Sequence, residues 1–249
     1  FDDTSIAQPA IVAVGLATYF EFQKVNPSWQ PLAYLGHSTG QMSAIAAAGV
    51  VDRVKALHIA AERGRLMQEI GHKKENEGGM VALLGRTLEQ AEELCANASQ
   101  EFGKEGLWVA NDNTKGQIVL SGREKYIVYA QAQAKKDGIG IAVRLPVSIA
   151  GHCLLMKEAQ DLYEQYLTHI KFERPSAPII LNTKVIATSE PEEIRADLIN
   201  GLTNGVKFRE ALLKAKKIGA KSFVEIGGGP LSGFVERVIP GSKRIQIVP

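Results

Sequence analysis

Ser38 sits at the centre of Gly36-His37-Ser38-Thr39-Gly40, between a short apolar run at residues 32–35 and a run of small helix formers at 42–48. Strand, Gly-rich turn and helix in that order hold a serine hydroxyl clear of a sheet, where it can act as a nucleophile. The turn calls for small residues on both sides, here Gly36 and Gly40. A helix starting directly behind the turn aims the N–H of Thr39 and the positive end of its dipole at any oxyanion formed on the serine. Taken alone, the pentapeptide is equally a tight connection with a spectator serine. Its flanks favour the nucleophile.

A serine hydroxyl attacks poorly until a base takes its proton, so the five histidines come next. His37 adjoins Ser38, and neighbours around a sharp turn point different ways, so it is expected to pack beside the site. His58 and His72 fall on or after a surface helix, and His169 ends another, where the dipole favours a cation. His152 follows Pro146-Val147-Ser148-Ile149-Ala150-Gly151, where the chain re-enters its main body, and such junctions form clefts. It is the expected base. An arginine nearby would select acyl groups with a free carboxylate, because a guanidinium fork binds carboxylate in two places. Arg63 and Arg65 stand two apart on one helix and face opposite sides, so only one can look inward. Spacing does not choose between them, and the other reading for each is a surface arginine paired with Glu62 or Glu69.

Several elements must position these residues. Periodicity predicts a helix over 8–22, a buried strand over 32–35, a helix over 38–48 and, capped by Asp52, a long helix to about residue 70. That succession implies a parallel sheet with covering helices. A polar loop at 72–79 leads to a different pattern. Strand 80–84, helix 88–99, strands 107–110 and 118–120, helix 124–136 and strand 139–145 make a βαββαβ insert over residues 79–146. Residues 1–78 and 147–249 form the larger domain. Its second part carries a helix over 152–169, a strand over 178–182, helices over 191–202 and 206–217, a strand over 222–226, a Gly-rich turn at 227–229 and a last strand over 245–248.

A chain of 249 residues with 45% hydrophobic content supports a real core. Its formal charge of +2 argues against a nucleic-acid partner. The charge is uneven: Lys207 to Arg244 carries nine basic residues against Glu210, Glu225 and Glu236, either a solvated face or a dock for an acidic partner. Cys95 and Cys153 offer neither a disulfide framework nor a metal site. No apolar run near 18 residues and no signal peptide is evident, so no membrane association and a cytoplasmic location are expected. The sequence opens at Phe1 without Met, in what reads as a loop before a helix, and a preceding segment is expected outside it.

The chain resembles the malonyl-CoA:acyl carrier protein transacylase family, which includes the acyltransferase domains of polyketide synthases. The resemblance rests on Ala7-Gln8-Pro9-Ala10, the Ser38 pentapeptide, Gly49-Val50-Val51-Asp52, Arg63-Gly64-Arg65-Leu66-Met67-Gln68, Asn111-Asp112-Asn113, Gly116-Gln117-Ile118-Val119-Leu120-Ser121-Gly122, Pro146-Val147-Ser148, His152-Cys153 and Glu225-Ile226-Gly227. These motifs fall in the family's order and spacing over essentially the whole chain. The resemblance implies an α/β fold, a hydrolase-like parallel-sheet domain with a ferredoxin-like βαββαβ insert. It implies Ser38 as the acylated residue, His152 as its base, the Gly201 carbonyl as the group orienting His152, and the Thr39 N–H as half of an oxyanion hole. Arg63 matches the carboxylate clamp, and His37, Asn113 and Gly151 complete the expected substrate-binding set. The family's other oxyanion donor lies in a G-Q-G segment that this sequence lacks.

Some positions depart from the family. Gln41 and Met42 replace Glu-Tyr, Gly201 replaces Gln, and Gly205 and Phe208 replace Pro and Trp. Gly151 stands where Ser or Phe often tunes acyl size, so a larger acyl group would find room. The implied activity is ping-pong transfer of a malonyl or similar dicarboxylic acyl group from CoA to the phosphopantetheine thiol of an acyl carrier protein, with no bound cofactor or metal. An editing thioester hydrolase on the same fold is the alternative, and a noncatalytic carrier-docking domain stands further off.

Overall fold

The computed structural model describes residues 3–249; Phe1 and Asp2, expected in a loop at the head of the larger domain, lie outside them. Helix α1 (Thr4–Val25) is capped by the Asp3 side chain, which accepts from the Ser5 N–H. Helices α2 (Gly40–Ala47) and α3 (Arg53–Gly71) follow, the latter capped by Asp52, whose carboxylate accepts from Lys55 N at 2.8 Å. α1 lies along α3. The Thr4 hydroxyl donates to Gly64 O at 2.9 Å, and a Cβ at Gly64 would stand 2.2 Å from Thr4 O, so only glycine permits this approach. Val12, Leu16 and Tyr19 of α1 enter one core with Ile45, Ile59, Leu66 and Met67. By length and composition α1 could cross a membrane, which corrects the expectation that no apolar run is long enough. Here it packs as a core helix of the larger unit.

The insert is the βαββαβ unit expected: β1 (Gly78–Leu84), α4 (Leu88–Phe102), β2 (Leu107–Thr114), β3 (Gln117–Arg123), α5 (Glu124–Asp137) and β4 (Ile141–Arg144). Its sheet has the order β2-β3-β1-β4 with every neighbour antiparallel, the ferredoxin-like arrangement. Val81, Leu83, Leu107 and Leu120 pack on Leu94, Tyr126 and Ile127 of the two helices. β2 and β3 run several residues beyond the predicted strands, because their polar ends still pair, from Asn111 opposite Val119 to Thr114 opposite Gln117.

The remaining elements are α6 (Lys157–Thr168), β5 (Ile179–Ile180), β6 (Ala187–Thr188), α7 (Pro191–Asn200), α8 (Phe208–Lys217), β7 (Ser222–Ile226), α9 (Leu231–Val238) and β8 (Lys243–Ile247). β7 and β8 pair in parallel over five residues, from Ser222–Lys243 to Ile226–Ile247. The strand predicted at 32–35 narrows to one parallel bridge, Tyr34 to Ile179, and that at 178–182 to two residues. Pro178 lacks the N–H that would extend this ladder to the carbonyl of Leu32. The helix predicted from residue 152 begins at Lys157, since His152 has φ 61° and cannot join a right-handed helix. α9 and β6 were not anticipated.

The two units are joined by backbone. Asp112 N donates to Val206 O at 2.9 Å, and Val206 N donates to Ala110 O at 2.8 Å. The buried Asp112 carboxylate pairs with Arg209 at the start of α8, 2.7 Å away. β2 thus ends beside the elements that hold the site.

Candidate active site

Ser38 occupies the turn between the Tyr34 bridge and α2 with φ 50°, a left-handed conformation that a non-glycine residue adopts only under constraint. The constraint is visible. A Cβ at Gly36 would stand 2.2 Å from the backbone of Gly40, so the turn closes over glycine alone. Gly40 is different, because a Cβ there would meet nothing within 4 Å. The expectation that both glycines are sterically required is corrected: only Gly36 is.

The Ser38 hydroxyl lies 2.8 Å from His152 Nε2, and His152 Nδ1 lies 2.6 Å from Gly201 O. A carbonyl can only accept, so Nδ1 carries the proton and Nε2 is left to accept from the hydroxyl. This is the geometry of a serine and a general base, with the ring oriented by a carbonyl at the end of α7. Burial pushes the pKa of His152 down to about 3, with the charge of Arg63 adding to the effect and the Gly201 hydrogen bond opposing it. The imidazole therefore stays neutral and ready to accept.

Arg63 faces inward and is 4% exposed, while Arg65 is exposed and paired with Glu62 and Glu69, each at 2.7 Å. The choice that spacing left open is settled by burial. Arg63 Nη1 donates to Gln8 Oε1 at 2.6 Å, and among the described residues no carboxylate pairs with it. Burial pulls its pKa down, yet a guanidinium stays charged. Burial raises the pKa of the Tyr163 hydroxyl, with the nearby charge of Arg63 opposing, and this hydroxyl has no hydrogen-bond partner among the described residues. Arg63, Ser38, His152, Gly201, Asn182 and Asp197 line one cleft.

His37 stands beside this cleft rather than in the base position. Its Nε2 lies 2.7 Å from Asn113 Oδ1 at the end of β2, and its ring meets Phe208 edge-on at 5.0 Å. Burial lowers its pKa, opposed by the Asn113 contact. Gly151 is buried, and a Cβ there would meet Met67 Cε at 3.2 Å. The Thr39 N–H makes no hydrogen bond among the described residues, whereas Gly40 N donates back to His37 O at 2.9 Å. Among the described residues no group of three or more His, Cys, Asp or Glu could hold a metal ion.

Four further residues shape the site. Asn182 Oδ1 accepts from Ser38 N at 3.0 Å, and its Nδ2 donates to Gly36 O at 2.8 Å and to Gln41 Oε1 at 3.0 Å. Gln41 Oε1 also accepts from Gly36 N at 3.0 Å. Asp197 holds Asn182 from behind, and Gln8 holds Arg63. A polar residue directly after the apolar run 178–181 was the available signal for Asn182; nothing in the sequence marked Asp197.

A serine on a strained turn and a neutral imidazole tied to a carbonyl, on an α/β fold with an antiparallel insert, define an enzyme of acyl-serine chemistry. The pattern of the acyl transferase domain matches residues 1–236. The malonyl CoA-acyl carrier protein transacylase of Haemophilus influenzae is 32% identical over 241 residues, 96% of this chain and 76% of that protein. Among solved structures, an acyl carrier protein S-malonyltransferase from Vibrio cholerae superposes with a TM-score of 0.91 at 32% identity, covering 99% of this chain and 79% of that one. A malonyl-transacylase in complex with a type II polyketide synthase acyl carrier protein gives a TM-score of 0.91 at 30% identity, over 98% of this chain and 78% of that one. The chain belongs to the malonyl-CoA:acyl carrier protein transacylase family of acyl transferase domains.

Proposed function

We propose that this protein moves a malonyl group from coenzyme A to the phosphopantetheine thiol of an acyl carrier protein through an ester on Ser38. The observation that carries the reading is a buried guanidinium without an acidic partner in the cleft that holds the Ser38–His152 pair. An unpaired buried charge is costly, and the carboxylate of a dicarboxylic acyl group would satisfy it. An acetyl group would leave it unpaired.

His152 Nε2 takes the proton of the Ser38 hydroxyl as the oxygen bonds to the thioester carbon. The tetrahedral oxyanion forms against the N–H of Thr39. It collapses with cleavage of the C–S bond, and His152 returns the proton to the departing CoA thiolate. The carrier's thiol then repeats the sequence in reverse, giving its proton to His152 as its sulfur attacks the ester, and Ser38 regains a proton on release. The Gly201 carbonyl keeps Nδ1–H in place and eases the charge of the transient imidazolium. No bound cofactor enters these steps, and a cytoplasmic setting fits free acyl-CoA as donor.

The test is intact-mass spectrometry of the protein with malonyl-CoA, methylmalonyl-CoA and acetyl-CoA, alongside Ser38→Ala and Arg63→Ala. We expect a malonyl adduct on the wild type, none on Ser38→Ala, and a shift towards acetyl loading in Arg63→Ala. Free CoA accumulating without an adduct would replace the reading with hydrolysis. Neither adduct nor CoA release would leave a docking domain.

A further inference from the structure

Three carboxylates are buried among the described residues: Asp112, Asp197 and Glu225. Asp112 is matched by Arg209. Glu225 accepts from Leu231 N at 2.9 Å and Ser232 N at 2.7 Å, the first N–H groups of α9, where the helix dipole favours a negative charge. Asp197 has neither advantage. It is 4% exposed, pairs with no cation among the described residues, and sits in the last turn of α7, where the dipole opposes a negative charge.

What Asp197 does hold is backbone. Oδ2 accepts from Asn182 N at 2.9 Å, and Oδ1 accepts from Thr183 N at 2.9 Å and from the Thr183 hydroxyl at 2.6 Å. Asn182 is the residue whose side chain accepts from Ser38 N and donates to Gly36 O, so it grips the nucleophile's turn at both ends. The main chain of the same residue is linked to the base. Gly201 N donates to Asp197 O at 2.9 Å, and the next group along, Gly201 O, orients His152. One residue thus fixes the Ser38 turn through its side chain and the His152 carbonyl through its main chain.

We propose that Asp197 is a positioning residue for acyl transfer, setting the distance and angle between Ser38 and His152 through Asn182. A buried anion at the wrong end of a helix carries a desolvation cost, which its three accepted hydrogen bonds offset, and those bonds lead through Asn182 to the reacting pair. The inference rests on the acyl-serine reading of this site, without depending on which acyl group is carried.

The test reads Ser38 reactivity directly, by the rate of labelling with a fluorophosphonate, in Asp197→Asn, Asn182→Ala and the double variant, with circular dichroism to establish equal folding. Asp197→Asn keeps volume but turns an N–H against an N–H. Should it be too unstable to purify, Asp197→Ser replaces it with the same expectation. Each single variant should label roughly 10- to 100-fold more slowly, the scale of a misplacement near 1 Å, and the double variant no more slowly than the worse single, because the two act in series. KM for acyl-CoA should stay within about 2-fold while kcat falls with the labelling rate. Labelling at the wild-type rate in a folded Asp197 variant, or effects that multiply in the double variant, would overturn the proposal. Failure of wild-type malonyl loading with labelling still dependent on Asp197 would sink the substrate assignment and leave this inference standing.

Discussion

Acidification should separate the chemistry of this site from its stability. An ordinary histidine base, with a pKa near 6.5, is only about 3% neutral at pH 5, so a serine enzyme relying on it loses about 30-fold in acylation between pH 8 and pH 5. His152 is held down to about 3 by burial and by Arg63, so it stays neutral throughout that range. The expected kcat/KM for acyl-enzyme formation, measured by quenched-flow mass spectrometry at malonyl-CoA well below KM, changes by less than about 2-fold. That quantity reports the free enzyme, in which Arg63 has not yet met a carboxylate. The fold should respond in the opposite sense. The unfolded chain binds a proton near 6.5 that the folded chain takes up only near 3. This contribution to stability is complete above pH 6.5 and is lost as pH falls, with about 2 kcal/mol gone by pH 5. Arg63→Ala removes one cause of the depression and should move any acid limb towards higher pH. A wild-type acid limb with a midpoint between about 6 and 7, in protein that circular dichroism shows to be folded, would refute the reasoning.

Three other outcomes follow from the geometry. Arg63→Ala should lower kcat/KM for malonyl-CoA by about 10²- to 10³-fold, as expected when one side of a buried charge pair is truncated, and should raise it for acetyl-CoA; equal losses for both donors would mean Arg63 serves folding alone. In urea titrations Gly36→Ala should cost about 3 kcal/mol or more, because its methyl would fall within the Gly40 backbone, while Gly40→Ala should stay within about 1 kcal/mol of wild type or gain slightly from helix propensity. Neutralising Lys214, Lys216 and Lys217, all on α8, should slow transfer to an acidic carrier protein at low salt and leave transfer to free pantetheine unchanged; an unchanged rate to the carrier would remove α8 as its dock.

The insert was legible because each strand and helix announces its own period: Val81 and Leu83 point one way along β1, and Leu94 and Ala98 fall on one face of α4. The larger unit was less so. Its parallel pairing is made between segments far apart in sequence, and Tyr34 finds Ile179 only through tertiary structure, so run length could not foretell a single bridge. α9 escaped because Gly227 to Pro230 read as a loop, and its N-terminus is stabilised by Glu225 across the turn rather than by a local cap. Ser38 and His152 were accessible from type and spacing. Asn182 showed only as a polar residue ending an apolar run and Asp197 not at all, since their importance lies in which distant N–H groups they reach, and Arg63 was separated from Arg65 only by burial.

Arg63 also bears on how such a protein can change its preference. In the role proposed for it, its desolvated charge, hydrogen-bonded to Gln8 in the resting fold, is a burden that the carboxylate of the acyl group relieves. A neutral residue at this position would then gain thermal robustness in the same step in which it abandons selectivity for diacids. The path towards unsubstituted acyl groups runs downhill in folding free energy and the reverse path uphill, so fidelity here depends on continued selection for the product rather than on stability.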